Sequence, residues 1–265
     1  MKNALLAALA GAGALVLASL TGCQKDKPAP NVGTFVLHLD HVVGADPLLL
    51  DVRSYKNALG QDFSVSVFKY YLSNLVLNKA DGSHQVLPDT YFLVDAARPT
   101  TRDLRLGNVP GGDYTSLTLT LGVDSTRTRA GNYTGDLSPS NNMFWDMNGP
   151  EFKNLVFEGH SPQAPHPAPA TTGGLVYHIA GFRHASTNTI RTFSVPFPAA
   201  TPLLVRPDKT PNIHTLVDVA QLFRSPNRIS FADSASYNVM GGRVAARIAD
   251  NAAHGLFAVA LIQAE

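Results

Sequence analysis

Glutamate and charged side chains in general are scarce in this chain of 265 residues. Charged residues make up 15% of it, against roughly 25% in an ordinary soluble domain. The cations (21 Lys+Arg) and anions (20 Asp+Glu) nearly balance, so no excess charge is available to attract nucleic acid. The only glutamates are Glu151, Glu158 and Glu265. Their scarcity argues against a glycosidase built on two carboxylates, although aspartate pairs stay open.

Cysteine is almost absent, because Cys23 is the single one in the chain. A disulfide within the chain is therefore excluded, and a thiolate metal site nearly so. The chain also lacks a Gly-x-Ser-x-Gly elbow, a phosphate-binding loop, a His-Glu-x-x-His helix and a dinucleotide fingerprint. We therefore expect a protein that is not an enzyme, and rank a hydrolase lowest among the possible functions.

Long apolar runs are also missing, except at the start of the chain. Lys2 precedes the apolar stretch 4–17, and Leu20-Thr21-Gly22-Cys23 follows it. This order is typical of a lipoprotein signal peptide over residues 1–22, with lipidation of Cys23 after cleavage. Residues 23–31 then form a lipidated, Pro-bearing tether. Gln24-Lys25-Asp26 resembles the export signal of some Bacteroidota lipoproteins, which predicts an outer-membrane lipoprotein on the periplasmic or cell-surface face.

Gly (21), Pro (18) and turn-forming polar residues are abundant, and short alternating segments lie between them. This pattern predicts an all-β protein, a single β-sandwich over residues 32–265 with long loops and one or two short helices. Helices are predicted over 216–223 and 244–253, and long loops over 124–142 and 160–173. The predicted strands are 34–41, 62–77, 91–94, 104–106, 114–122, 152–158, 174–181, 190–195 and 255–262.

Histidine is the one residue type left that offers metal chemistry. His41 is in phase with the apolar residues of its strand, whereas His38 points to the opposite face. His178 and His214 also lie in apolar strands, where an imidazole is costly unless it is hydrogen-bonded or bound to a metal. Taken singly, each is more typical of a satisfied core histidine. Taken together, the sequence predicts that His41, His178 and His214 converge at one end of the sandwich in a site for copper or zinc.

Tryptophan is also nearly absent, with Trp145 its single copy. It stands beside Met143 in the run Met143-Phe144-Trp145, and Met147 follows. A core aromatic and gap-filling methionines are the simplest interpretation. We also keep Trp145 and Met143 as residues that could be modified or lie next to the metal, because a thioether sulfur is a soft copper ligand.

Several short motifs occur in an order that resembles the MbnP-like family, named for a copper-binding protein of methanobactin operons. They include Pro110-Gly111-Gly112-Asp113-Tyr114, Met143-Phe144-Trp145, Phe157-Glu158-Gly159, His178-Ile179 and Ile248-Ala249-Asp250-Asn251. The resemblance spans about residues 32–263. It implies a β-sandwich outside the cytoplasm that binds copper through histidines, with His178 and Trp145 matching family positions directly. In one branch a diheme MauG-type oxidase converts a tryptophan to kynurenine.

Two kinds of function follow as hypotheses. The first is a copper-binding lipoprotein that scavenges, buffers or delivers copper, with a MauG-type oxidase or a copper importer as partner. The alternative is a cell-surface module that binds glycan or protein through its loops, with purely structural histidines.

Overall fold

Alternation of apolar and polar residues produces the first strand, which is central to one of the two large sheets; β8 (Gly112–Tyr114) and β14 (Leu203–Val205) form a separate two-stranded sheet. Phe35, Leu37 and Leu39 are wholly buried on its inner face, and the residues between them are half-buried on the outer face. This is the period-2 pattern of a strand with one face on the core. The computed structural model describes residues 31–146, 149–164, 174–199 and 201–264.

The described residues contain two α-helices, α1 (Ser125–Ala130) and α2 (Gly242–Gly255), and several short 3-10 turns. The strands are β1 (Val32–Val43), β2 (Asp46–Pro47), β3 (Tyr55–Lys56), β4 (Asp62–Asn78), β5 (His84–Val86), β6 (Tyr91–Asp95), β7 (Asp103–Pro110), β8 (Gly112–Tyr114), β9 (Ser116–Leu121), β10 (Phe144–Trp145), β11 (Glu151–His160), β12 (Leu175–Ala180), β13 (Arg191–Pro196), β14 (Leu203–Val205), β15 (Asn212–Asp218), β16 (Asn238–Met240) and β17 (Phe257–Gln263). No helix in the described ranges is both long and apolar enough to span a membrane.

Two sheets pack against each other as a sandwich, which confirms the predicted all-β class. The smaller sheet has the order β17-β15-β1-β2, with β7 also paired to β1. The larger has the order β13-β9-β4-β11-β12-β16, with β3, β5, β6 and β10 attached to β4 or β11. The main core fills the space between them and includes buried aromatic side chains such as Phe63, Phe157 and Tyr177.

A second, smaller apolar cluster covers part of the outer face of the larger sheet. Tyr71 and Phe152 from the sheet meet Leu137 and Met143 from the segment that crosses over it. The predicted loop 124–142 therefore has structure, including α1, because it buries this cluster. The N-terminal end of α1 is capped by the Asp124 side chain, which accepts a hydrogen bond from the Arg127 backbone N–H.

Most predicted strands are present, and the predicted helix 244–253 is α2. The predicted helix 216–223 is wrong. Residues up to Asp218 belong to β15, and only Val219–Phe223 turn, as a 3-10 helix. β15 runs parallel to β1, and this long-range pairing decides its conformation over the local spacing of apolar residues.

Candidate metal centre

The parallel pairing of β1 with β15 places two histidines side by side on the outer face of the smaller sheet. His38 and His214 are register partners, and their ring centroids lie 5.2 Å apart. Asp40 follows His38 by two residues, so its side chain projects from the same face of β1. Two adjacent strands thus present two imidazoles and one carboxylate to the outside of the sandwich.

The three side chains are close enough to share one ion. Nε2 of His38 lies 3.0 Å from Oδ1 of Asp40, and Nδ1 of His214 lies 3.8 Å from Oδ2 of the same carboxylate. One ligand atom from each residue falls within 4.8 Å of the other two. In the part of the chain that the structure describes, no other group of three His, Cys, Asp or Glu residues meets this condition. We call His38, Asp40 and His214 the triad.

The remaining nitrogen of each imidazole is held by a further residue. Nδ1 of His38 donates to Oδ1 of Asp103 at 2.5 Å, and Asp103 is the register partner of His38 on β7. Nε2 of His214 donates to Oε1 of Gln263, at 3.4 Å. Histidines that bind metals commonly donate their second N–H to a carboxylate or carbonyl in this way, which fixes the ring and directs the other nitrogen to the ion.

Electrostatics around His38 favour positive charge at this place. Burial alone would lower the pKa of His38, but hydrogen bonds and charges from Asp103 and Asp40 outweigh burial and raise the pKa above its ordinary value. A cation that replaces the proton on Nε2 meets the same two carboxylates. The His38 and His214 side chains are 28% and 27% exposed and Asp40 is 46% exposed, so an ion from solvent can reach all three.

The structure does not bring together the three histidines that the sequence predicted to converge. His41 points inward, as expected, but its Nε2 is paired with the Tyr70 hydroxyl at 3.0 Å inside the core. His214 lies on the opposite, outer face of the same sheet. His178 belongs to β12 of the other sheet. The three rings therefore lie on three different strands and three different faces of the two sheets, and His41 contacts Tyr70 in the core.

His178 and Trp145 do meet, on the outer face of the larger sheet. Their ring centroids are 6.1 Å apart, and Nε2 of His178 lies 2.8 Å from Oε1 of Glu158. The hydrogen bond from His178 lowers the pKa of the Glu158 carboxyl. The Trp145 Nε1–H donates to Glu151 at 2.9 Å, and the Lys153 ammonium lies 5.5 Å from the indole centroid. The cluster around Trp145 contains one imidazole, that of His178, which is already hydrogen-bonded to a carboxylate. The cluster and the triad lie on different sheets.

Met143 is fully buried in the second apolar cluster, which also contains Tyr71 and Phe152. This position supports the packing interpretation of Met143. Cys23, Met147, His166, the predicted signal peptide and residues 23–30 of the predicted tether lie outside the described residues.

Sequence reasoning selected His214 but missed its neighbours His38, Asp40 and Asp103. One local signal was available, since His38 and Asp40 are two residues apart on a strand and must share a face. The other half of the site depends on β1 pairing in parallel with β15, which no local pattern reveals.

One family model matches this chain. The MbnP family model matches residues 32–241. A solved structure, MbnP from Methylosinus trichosporium, covers 79% of this chain and 83% of its own, with 11% sequence identity and a TM-score of 0.48. Among curated proteins, none is similar enough to match. Because the family model covers most of its length, the chain belongs to the MbnP family.

Proposed function

We propose that this protein is a non-catalytic copper-binding lipoprotein, which holds copper at the triad and scavenges, buffers or delivers it at the outer membrane. The observation that carries the proposal is the triad itself, with two imidazoles and a carboxylate within reach of one ion. Membership of a family linked to copper supports the choice of metal.

The chemistry of the donor set fits copper. Imidazole nitrogen suits copper as well as zinc, and copper binds most nitrogen and oxygen sites more tightly than other divalent first-row metals do. His38 and His214 would supply the nitrogens, and Asp40 would supply an oxygen and a compensating negative charge. Bound copper would tie β1 to β15 on their outer face.

The binding role, the anchor and the partners belong to the same proposal. A lipid on Cys23 would keep the domain at the membrane, where an importer or a MauG-type oxidase could meet it. The half-exposed triad suits exchange of an ion with such a partner, because the ion would not be enclosed by the core.

Copper stoichiometry of the metal-free protein tests the proposal. We expect the wild type to bind about one copper ion tightly, since a structural metal site binds its ion stoichiometrically. The double variant His38→Ala/His214→Ala should lose this binding, whereas His84→Ala should keep it, because His84 lies exposed on β5 away from the triad. Equal copper content in all three proteins would refute the site. Loss of copper in His178→Ala alone would move the site to the Trp145 face.

A further inference from the structure

We propose that a groove between segments 56–58 and 220–228 binds a small ligand that carries two or more carboxylate or phosphate groups. We call it the basic groove. Its volume is about 580 Å³, which lies in the usual range for pockets that hold small molecules. No residue of the triad lines it, so the proposal does not depend on metal binding.

The charge that lines the basic groove is of one sign. Lys56, Arg224 and Arg228 line it, and no Asp or Glu of the described residues does so. In the whole chain the charges nearly balance, at 21 Lys+Arg against 20 Asp+Glu. Three cations without a carboxylate are therefore a local feature. A cleft lined by one sign of charge focuses the electric field and raises the local concentration of counter-ions, which here are anions.

The groove also contains hydrogen-bond donors that the fold does not use. The guanidinium groups of Arg224 and Arg228, and the hydroxyl of Ser225 next to them, have no partner among the described residues. The Lys56 ammonium pairs with Asp62 at 2.7 Å, which leaves it further N–H donors. A guanidinium group presents a planar fork that binds a carboxylate or a phosphate through two parallel hydrogen bonds.

Hydrogen bonds fix both walls of the basic groove. Gln61, next to the first wall, donates from Nε2 to the Ser230 hydroxyl at 3.0 Å and accepts at Oε1 from the Phe231 backbone N–H at 2.9 Å. The buried Asn251 of α2 holds the second wall, because it accepts from the Asn227 N–H and donates to the Asn227 carbonyl, each at 2.7 Å. A ligand would therefore meet walls that are already in place, and its binding would not require the ordering of a loop.

The lining also indicates the class of ligand. Its apolar part consists of Ala58, Ala220 and Pro226, so an apolar ligand would bury little surface against it. Three cations suit a ligand with several negative charges better than a monoanion, because the Coulomb energy scales with the product of the charges. Guanidinium forks accept carboxylate and phosphate alike, and two probes distinguish them.

Isothermal titration calorimetry of the metal-free, full-length protein with pyrophosphate and with citrate is the direct test. We expect at least one probe to bind at one site with a dissociation constant at or below about 1 mM. Arg224→Gln/Arg228→Gln should weaken that binding at least about tenfold, since hydrogen bonds to charged groups are the stronger ones. The control Arg105→Gln/Arg243→Gln removes the same charge from two exposed positions outside the groove and should keep the wild-type affinity.

Nuclear magnetic resonance of the isotope-labelled wild type locates the probe without any variant, and so serves even if the variants fold poorly. The Nε–H signals of Arg224 and Arg228 should shift as the probe is added. Those of Arg105 and Arg243 should stay in place.

The outcomes decide the proposal. Binding of pyrophosphate alone would identify a phosphate ligand, and binding of citrate alone a carboxylate ligand. Equal losses of affinity in the two double variants would mean a general effect of charge and would overturn the site. Unchanged affinity in Arg224→Gln/Arg228→Gln, or no binding of either probe, would overturn it as well. None of these results bears on copper binding at the triad.

Discussion

At the scale of single residues, the hydrogen bond made by the second ring nitrogen of each triad imidazole helps to define the site. Asp103 accepts from Nδ1 of His38 and so directs Nε2 toward Asp40. We predict that Asp103→Asn weakens copper binding by about 10- to 100-fold, the usual effect of losing such a partner. Competitive titration with a copper chelator measures this, with the exposed Asp208→Asn as control. An unchanged affinity in Asp103→Asn would show that Asp103 does not position His38.

His41 differs from its neighbours because it is buried, 6% exposed, among core residues. Burial, and secondarily the charge of Arg102, lowers the pKa of His41 to about 4. In the unfolded chain an ordinary histidine has a pKa of about 6.5. As the pH falls from about 6.5 to about 4, the unfolded state takes up a proton that the folded state refuses, so stability falls.

We therefore predict that acidification over this range costs the wild type up to about 3 kcal/mol of unfolding free energy from His41 alone. Urea denaturation at a series of pH values measures it. His41→Leu should be less stable at neutral pH, because the Tyr70 hydroxyl loses its partner, but its stability should depend less on pH. Parallel pH profiles for the two proteins would contradict the assignment.

At the scale of elements, α2 holds a neighbouring turn through one buried side chain. Asn251 is wholly buried, and its carboxamide donates to the carbonyls of Leu222 and Asn227 and accepts from the Asn227 N–H. We predict that Asn251→Ala lowers the unfolding free energy by about 2–4 kcal/mol, since it leaves buried backbone groups unsatisfied. Urea denaturation measures this. Asn238→Ala, at an exposed position of β16, should cost less than about 0.5 kcal/mol, and equal losses in both variants would contradict the role of Asn251.

The strands and helices differ in how far their positions can be predicted from the sequence. The alternation of β1 and the long β-rich run of β4 were sufficient to predict those strands, because one face of each packs on the core. The same spacing of apolar residues failed at 216–223, where pairing with β1 holds the chain extended through Asp218. The triad escaped prediction for the same reason: its His38–His214 contact exists only through that pairing.

At the scale of the whole molecule, the two sheets carry different polar groups on their outer faces. The smaller sheet carries the triad, and the larger carries His178 with Trp145 and Glu158. The motifs that resemble the family therefore include residues of one polar face, whereas the candidate metal site lies on the other.

Copper should stabilise the whole domain, because the triad is assembled only when β1 and β15 are paired. At 100 times the dissociation constant, a ligand that binds only the folded state adds about 2.7 kcal/mol. For a domain of this size we predict a rise in Tm of roughly 5–10 °C. Differential scanning calorimetry measures it, and His38→Ala/His214→Ala should show no rise. A similar rise in that variant would mean that copper stabilises the fold from somewhere else.

The position of the ion tests the central claim most directly. Crystals grown with copper would be measured at the copper absorption edge, where anomalous scattering locates the metal. We predict one strong peak between the side chains of His38, Asp40 and His214. A peak beside His178 and Trp145, with none at the triad, would contradict it.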